Sequence, residues 1–409
     1  MAAVFVIGLI SIFIPDNTLA DMRVRGSLGI KSYGYEDSEG SDHLWLFQST
    51  QLSVYKSDSP LSFHFSGGYV GDSDDDFSSS GRGRFLKGYF QYGGLTEDVK
   101  VRLGRFFIYN SAALGVLDGI EFRKRLSKSY SMSLFGGMMG VRSRDFEFES
   151  FDEAASFGGQ VDWFPARLFN SQKSKISLAY TYQTRDNEKI RNRIGLSGMT
   201  RINRNVSILA ALHLRPTKSP LRRFIGRMRY ITEDLTGFIE LGMFEPDAAA
   251  GSWFTGFGMP PHERVRFAFE KYFVPGKWGA GLEGTMLLYN DANGYLLGPV
   301  ISVPYGKLGY RMQLGDLSKS DGPWINLAYS PLMGFEFYAN AAMIDYEWEE
   351  FEIASDEIIN AQFGGRISPV CYRALTISAE YQVYRTPQFT SDRRFLAGLN
   401  WKFDSGRMK

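Results

Sequence analysis

Basic residues at alternate positions are the first chemistry this sequence offers. Arg123 and Arg125, Arg191 and Arg193, Arg227 and Arg229, and Arg264 and Arg266 each stand two residues apart, and Arg311 lies in a similar stretch. In an extended chain, residues i and i+2 point to the same side, so each pair puts two guanidinium groups on one face. Arg23, Arg25, Lys31, Lys87, Lys100, Arg102, Lys307 and Arg366 share that phase, against fewer acids: Glu121, Asp162, Glu240, Glu270, Glu283, Glu336 and Glu380. Fixed cations around a confined aqueous space concentrate anions and oppose cations. Paired with the carboxylates instead, the same arginines would brace a wall.

Catalysis and metal binding find little support. His43, His64, His213 and His262 fall in distant segments, and neither Gly-x-Ser-x-Gly nor His-Glu-x-x-His occurs. His213 shares a face with Ser207, which reads as a wall histidine rather than half of a dyad. The acidic runs at Asp72 to Asp76, Glu147 to Glu153 and Glu347 to Glu352 lack the spacing of a twelve-residue calcium loop and read as solvated loops. No metal, cofactor or enzymatic activity is therefore expected. The single cysteine, Cys371, excludes an intrachain disulfide and any multi-cysteine metal site. A net charge of +1 argues against a nucleic-acid partner.

The elements that must carry the arginines are strands. From Met22 onward apolar and polar residues alternate: Met22, Val24, Leu28 and Ile30 oppose Arg23, Arg25, Ser27 and Lys31. The pattern returns in Leu61 to Val70, Lys175 to Arg185 and Ala374 to Tyr384. Such segments match the ~9 to 11 residues that a tilted strand needs to cross a bilayer. Aromatics at 15% and 44 glycines supply strand and turn formers together. Cutting at turn signals predicts an all-β transmembrane antiparallel barrel of about 22 strands, with 16 to 22 compatible. Alternation begins directly after residue 21, which leaves no room for a plug domain.

Domain organisation follows from the ends. Residues 1–20 read as a signal peptide, with an apolar run from Ala2 to Ile14 and Thr18-Leu19-Ala20 as the cleavage site. Residues 21–403 make the barrel and 404–409 a short periplasmic tail. Every second connection is tight, as at Lys56 to Pro60, Leu126 to Ser129 and Thr232 to Asp234. Those between are longer, as at Gly71 to Gly83 and Phe244 to Pro261. Short periplasmic turns facing longer outer loops are the asymmetry of an outer-membrane barrel, and Pro165 to Lys173 is the one long connection on the short side. Tyr89, Phe90, Tyr92, Trp163, Phe164, Tyr272, Phe273, Trp401 and Phe403 are candidates for interfacial girdles.

The last strand, with Phe395, Ala397, Leu399, Trp401 and Phe403 on one face, resembles the carboxy-terminal signature of bacterial outer-membrane barrels. In the common pattern the aromatic is the final residue, whereas Phe403 is followed by Asp404 to Lys409. The resemblance implies that Trp401 and Phe403 are read by the barrel-assembly machinery. Arg102-Leu103-Gly104-Arg105 with Leu117-Asp118-Gly119 also resembles a strand pair of Gram-negative porin and polysaccharide-export families. Across the mature chain the architecture resembles the broad class of porin-like barrels. It implies a cell outer-membrane location among lipid and lipopolysaccharide. The expected function is passive passage of small hydrophilic, anionic solutes. Alternatives are an export conduit for an acidic polysaccharide, an outer-membrane enzyme, and a structural or adhesive barrel.

Overall fold

The computed structural model describes residues 22–36, 40–56, 59–72, 82–93, 98–140, 150–165, 174–186, 188–216, 221–245, 260–316, 319–348, 353–369, 374–385 and 392–405. The expected signal peptide, Cys371, most of the acidic runs and the end of the tail lie outside these residues. In chain order the strands are β1 (Met22–Glu36), β2 (Asp42–Lys56), β3 (Leu61–Asp72), β4 (Arg82–Tyr92), β5 (Val99–Tyr109), β6 (Leu114–Arg125), β7 (Tyr130–Met139) and β8 (Ala154–Trp163). Next come β9 (Lys175–Arg185), β10 (Glu188–Arg201), β11 (Val206–Leu214), β12 (Leu221–Ile231), β13 (Leu235–Phe244), β14 (His262–Val274) and β15 (Trp278–Leu288). The ring is completed by β16 (Asn293–Val303), β17 (Gly306–Gly315), β18 (Lys319–Tyr329), β19 (Phe335–Trp348), β20 (Ile353–Ile367), β21 (Leu375–Arg385) and β22 (Asp392–Asp404).

Each strand pairs antiparallel with its chain neighbours, and β22 returns to β1 from Arg25↔Asp404 to Tyr35↔Arg394. The result is a closed 22-stranded barrel, and among the described residues there is no α-helix. Closure removes free sheet edges, which hydrocarbon cannot satisfy. Outside stand large apolar side chains that water would penalise: Phe90 is 62% exposed and Leu103 58%. Their alternation partners face inward and are mostly polar, so the outer face suits lipid and the inner face water.

Antiparallel closure puts connections after even-numbered strands on one rim and those after odd-numbered strands on the other. The even rim carries tight turns: Lys277 N–H donates to Val274 carbonyl beside Gly276 (φ +68°), and Phe335 N–H to Leu332 carbonyl beside Gly334 (φ +89°). Both glycines take the left-handed conformation that other residues resist. The odd rim is less uniform than expected, because the β5–β6 and β15–β16 connections are also short. The Pro165 to Lys173 connection joins neighbouring strands of the ring, since Trp163 of β8 pairs directly with Ile176 of β9.

Two girdle candidates point the other way. Tyr89 pairs with His64 and Tyr272 with Gly279, both on the inner face, whereas Phe90, Tyr92, Trp163, Phe273 and Trp401 face outward. Consecutive aromatics in a strand cannot share a face, so only one of each adjacent pair can meet lipid. The last strand runs one residue past Phe403, and Asp404 binds Arg23 (2.8 Å) and Arg25 (3.1 Å) across the closing pair.

Candidate functional site

The inner wall from β10 to β14 gathers most of the sequence-predicted arginines. Strand β13 lies between β12 and β14, and its register places Arg227, Glu240 and Arg266 in one row. Arg227 Nε donates to Glu240 Oε2 at 2.7 Å, and Arg264 Nη2 to Oε1 at 3.0 Å; Arg266 Nη1 stands 3.9 Å away. The Glu240 side chain is 1% exposed. A carboxylate this enclosed needs several charge-assisted partners, and it has them. Three cations on one anion leave the cluster net positive.

Aromatic residues of β13 flank that carboxylate on the same face and support the arginines. Arg227 and Arg266 lie 5.8 and 5.9 Å from the Phe238 ring centroid, and Arg223 and Arg264 lie 5.4 and 4.5 Å from that of Phe244. Guanidinium planes held over ring faces lose freedom but keep their charge. Arg223, Phe238 and Phe244 were missed by sequence reasoning, although the phase that fixes Glu240 inward fixes them too. Arg223 is also in electrostatic reach of Arg193 on β10.

The other predicted arginines lie outside this cluster. Arg191 faces Gln183 of β9, and Arg193 faces Thr181. Arg229 faces Ser207 and Phe238, two positions nearer the even rim than Arg227. Arg311 reaches Glu283 at 3.5 Å, and Arg123 reaches Glu121 at 3.4 Å. Arg125 ends β6, where its N–H donates to Asp98 carbonyl. Elsewhere, Lys307 meets Glu270 at 2.6 Å and Arg102 meets Glu121 at 2.5 Å. Bracing and cationic character therefore coexist in one wall.

His213 and Ser207 share the inner face of β11 but stand six residues apart, about 20 Å at strand rise. They cannot form a nucleophile and base. Among the described residues, no group of three or more His, Cys, Asp or Glu is placed to hold a metal ion. Trp401 and Phe403 lie on the outer face of β22, ring centroids 5.3 Å apart.

Beside the arginines, the β5–β6 hairpin folds into the lumen. Asn110 Oδ1 accepts from the N–H groups of Ala112 (2.8 Å) and Ala113 (2.6 Å), which makes the tip a compact Asx turn. Ser111 N–H then donates to Gln160 on β8 (3.1 Å), and Ser111 Oγ meets Ser197 Oγ on β10 (2.8 Å). Gln160 and Ser197 are inner-face residues separated from the hairpin by intervening strands, so the tip folds inward over the wall of β7 to β10 to reach them. The wall beneath is small: an added Cβ at Gly195 would sit 2.0 Å from Ser111 carbonyl oxygen. Phe106, Ile108 and Leu117 of the hairpin pack with Phe135 of β7, all buried. Tyr109, 79% exposed beside the tip, lies in electrostatic reach of Arg223. The lumen is thus narrowed by an apolar hairpin whose tip docks beside the first arginines of the wall.

No protein-family model matches the sequence, and no curated protein is similar to it in sequence. Among solved structures, the P pilus usher (PapC) translocation pore superposes with a TM-score of 0.52 at 8% identity, covering 93% of this chain and 99% of that one. Pseudomonas aeruginosa OpdQ gives a TM-score of 0.48 at 10% identity, covering 94% and 99%. The BenF-like porin of Pseudomonas fluorescens gives 0.45 at 8%, covering 95% and 100%. The likeness is one of fold. With its closed ring, lipid-suited exterior and polar interior, the chain is a membrane-spanning, 22-stranded antiparallel β-barrel.

Proposed function

We propose that this barrel is an outer-membrane channel for small hydrophilic solutes and that it prefers anions. The observation that carries the reading is the cluster around Glu240. Its guanidinium groups outnumber the carboxylate and lie on the inner wall, and the neighbouring Arg223 is in electrostatic reach of the exposed Tyr109. Anions passing there meet fixed positive charge and, close by, a hydroxyl-bearing ring. The inward hairpin favours small solutes over a polysaccharide chain, which needs an unobstructed bore. Phe403 and Trp401 belong to the same reading as the aromatic face offered to the assembly machinery.

Planar-bilayer recording of refolded protein tests this. Under a salt gradient, the reversal potential is expected to have the sign of anion preference in dilute salt and to move toward zero in concentrated salt. Cation preference in dilute salt would refute the reading.

A further inference from the structure

Among the described residues, the barrel wall is parted beside the inward hairpin. Strands β4 and β5 share only five register pairs, from Gly88↔Arg105 to Tyr92↔Val101, the shortest ladder in the ring. Above Gly88 the segment Arg82–Lys87 stays paired with β3, while Phe106–Tyr109 stays paired with β6 and leaves with the hairpin. Gly104, at φ +122°, marks where β5 turns away, and an added Cβ there would meet Gly88 carbonyl oxygen at 2.4 Å. A bulge in β4 at Leu86, which has no register partner, adds twist on the other side.

At the foot of this gap stands a buried ion pair of outward phase. Arg105 and Asp118 share the face of Leu103 and Ile120, yet are 1% and 4% exposed. They form two hydrogen bonds of 2.6 and 2.7 Å, and Arg105 Nη1 donates to Phe85 carbonyl at 3.1 Å. The guanidinium thereby takes the place of a missing β5 donor, with the Phe85 ring 4.7 Å away. Hydrocarbon does not tolerate parted backbone edges, because their polar groups need water or protein partners.

We propose that the β4–β5 gap is a hydrated lateral window through which an acidic amphiphile passes between lumen and outer leaflet. Its two sides fit that chemistry. Arg82, Arg84 and Lys87 face inward on the β4 edge, where an anionic head would travel. Leu86 (38% exposed) and Phe107 (51%) flank the gap with apolar surface for the tail. The Arg105–Asp118 pair is the sill, and the packed Phe106–Leu117 cluster lies above it at the root of the inward hairpin.

The test places one fluorophore at a time on Leu86→Cys, Phe107→Cys or, as control, Phe90→Cys, in a Cys371→Ser background reconstituted in bilayers. Aqueous iodide and a brominated phospholipid are both expected to quench the Leu86 and Phe107 labels. Phe90, in the zipped half of β4, should answer to the brominated lipid only, which also verifies insertion. A bromoalkanesulfonate should quench the window labels saturably, and Arg82→Gln with Arg84→Gln should raise its half-saturating concentration about five- to tenfold. Window labels reached by lipid alone, or sulfonate quenching that neither saturates nor answers to the arginines, would overturn the proposal. None of these readouts depends on the ion preference of the pore.

Discussion

At Glu240, stability and selectivity pull in opposite directions. The carboxylate holds Arg227 and Arg264 by direct hydrogen bonds, and in doing so cancels part of the field that would draw anions. Glu240→Gln keeps the shape and removes the charge. Anion preference, read as the reversal potential in dilute salt, is expected to rise. Barrel stability in a urea titration should fall by roughly 1.5–3 kcal/mol for each hydrogen bond that loses its charged acceptor. Arg227→Gln with Arg229→Gln should move selectivity the other way. An unchanged reversal potential in both variants, beside lowered stability, would reduce the cluster to a brace. Cation–π support from Phe238 and Phe244 argues against that outcome, since rings orient guanidinium groups without neutralising them.

Among the elements, the β5–β6 hairpin decides how wide the lumen is. Its tip docks on Gly195, where only a residue without a side chain leaves room for Ser111 carbonyl. Gly195→Val is therefore expected to displace the tip and increase single-channel conductance, with the folded barrel retained; unchanged conductance would show that the hairpin does not bound the pore. Strand β22 carries a second expectation. Phe403 lies over Gly26 of β1, on the outer face of the closing pair, whereas Lys402 points inward opposite Ser27. Phe403→Ala should lower the yield of heat-modifiable barrel more than Lys402→Ala, and equal yields would remove the assembly argument. The strands were legible in the sequence because inner and outer faces differ at every second residue, as in Met22 to Lys31. The hairpin was not. Phe106, Ile108 and Leu117 alternate like any wall strand, and their inward fold depends on distant small residues such as Gly195 and on Gln160 and Ser197, which no local period reveals. Arg227, Arg264 and Arg266 could be assigned a face from sequence, but their convergence on one carboxylate needed the register of three strands.

For the whole molecule, near neutrality hides a sorted charge distribution. The chain carries 46 basic and 45 acidic residues, yet among the described residues the inner wall from β10 to β14 has arginines in excess of its glutamates, Glu240 and Glu270. Screening acts over ~8 Å at physiological salt and ~3 Å at 1 M, so a selectivity built from wall charge should fade across that range. The closed ring also ties every connection to a rim. The loop after β3 and that after β13 must emerge on the same side, because both follow odd-numbered strands, while the β2–β3 turn emerges on the other. On the length of the connections at residues 73–81 and 245–261 we propose that the odd rim faces the cell exterior. A tag inserted at Asp74, or between Ala248 and Gly251, should then bind antibody on intact cells, and one at Asp58 only after the outer membrane is permeabilised. Accessibility of Asp58 with Asp74 hidden would invert the barrel. Accessibility of Asp74 with the Ala248 site hidden in intact cells, yet exposed after permeabilisation, would be worse for the model, since a ring of antiparallel strands cannot put those two loops on opposite sides.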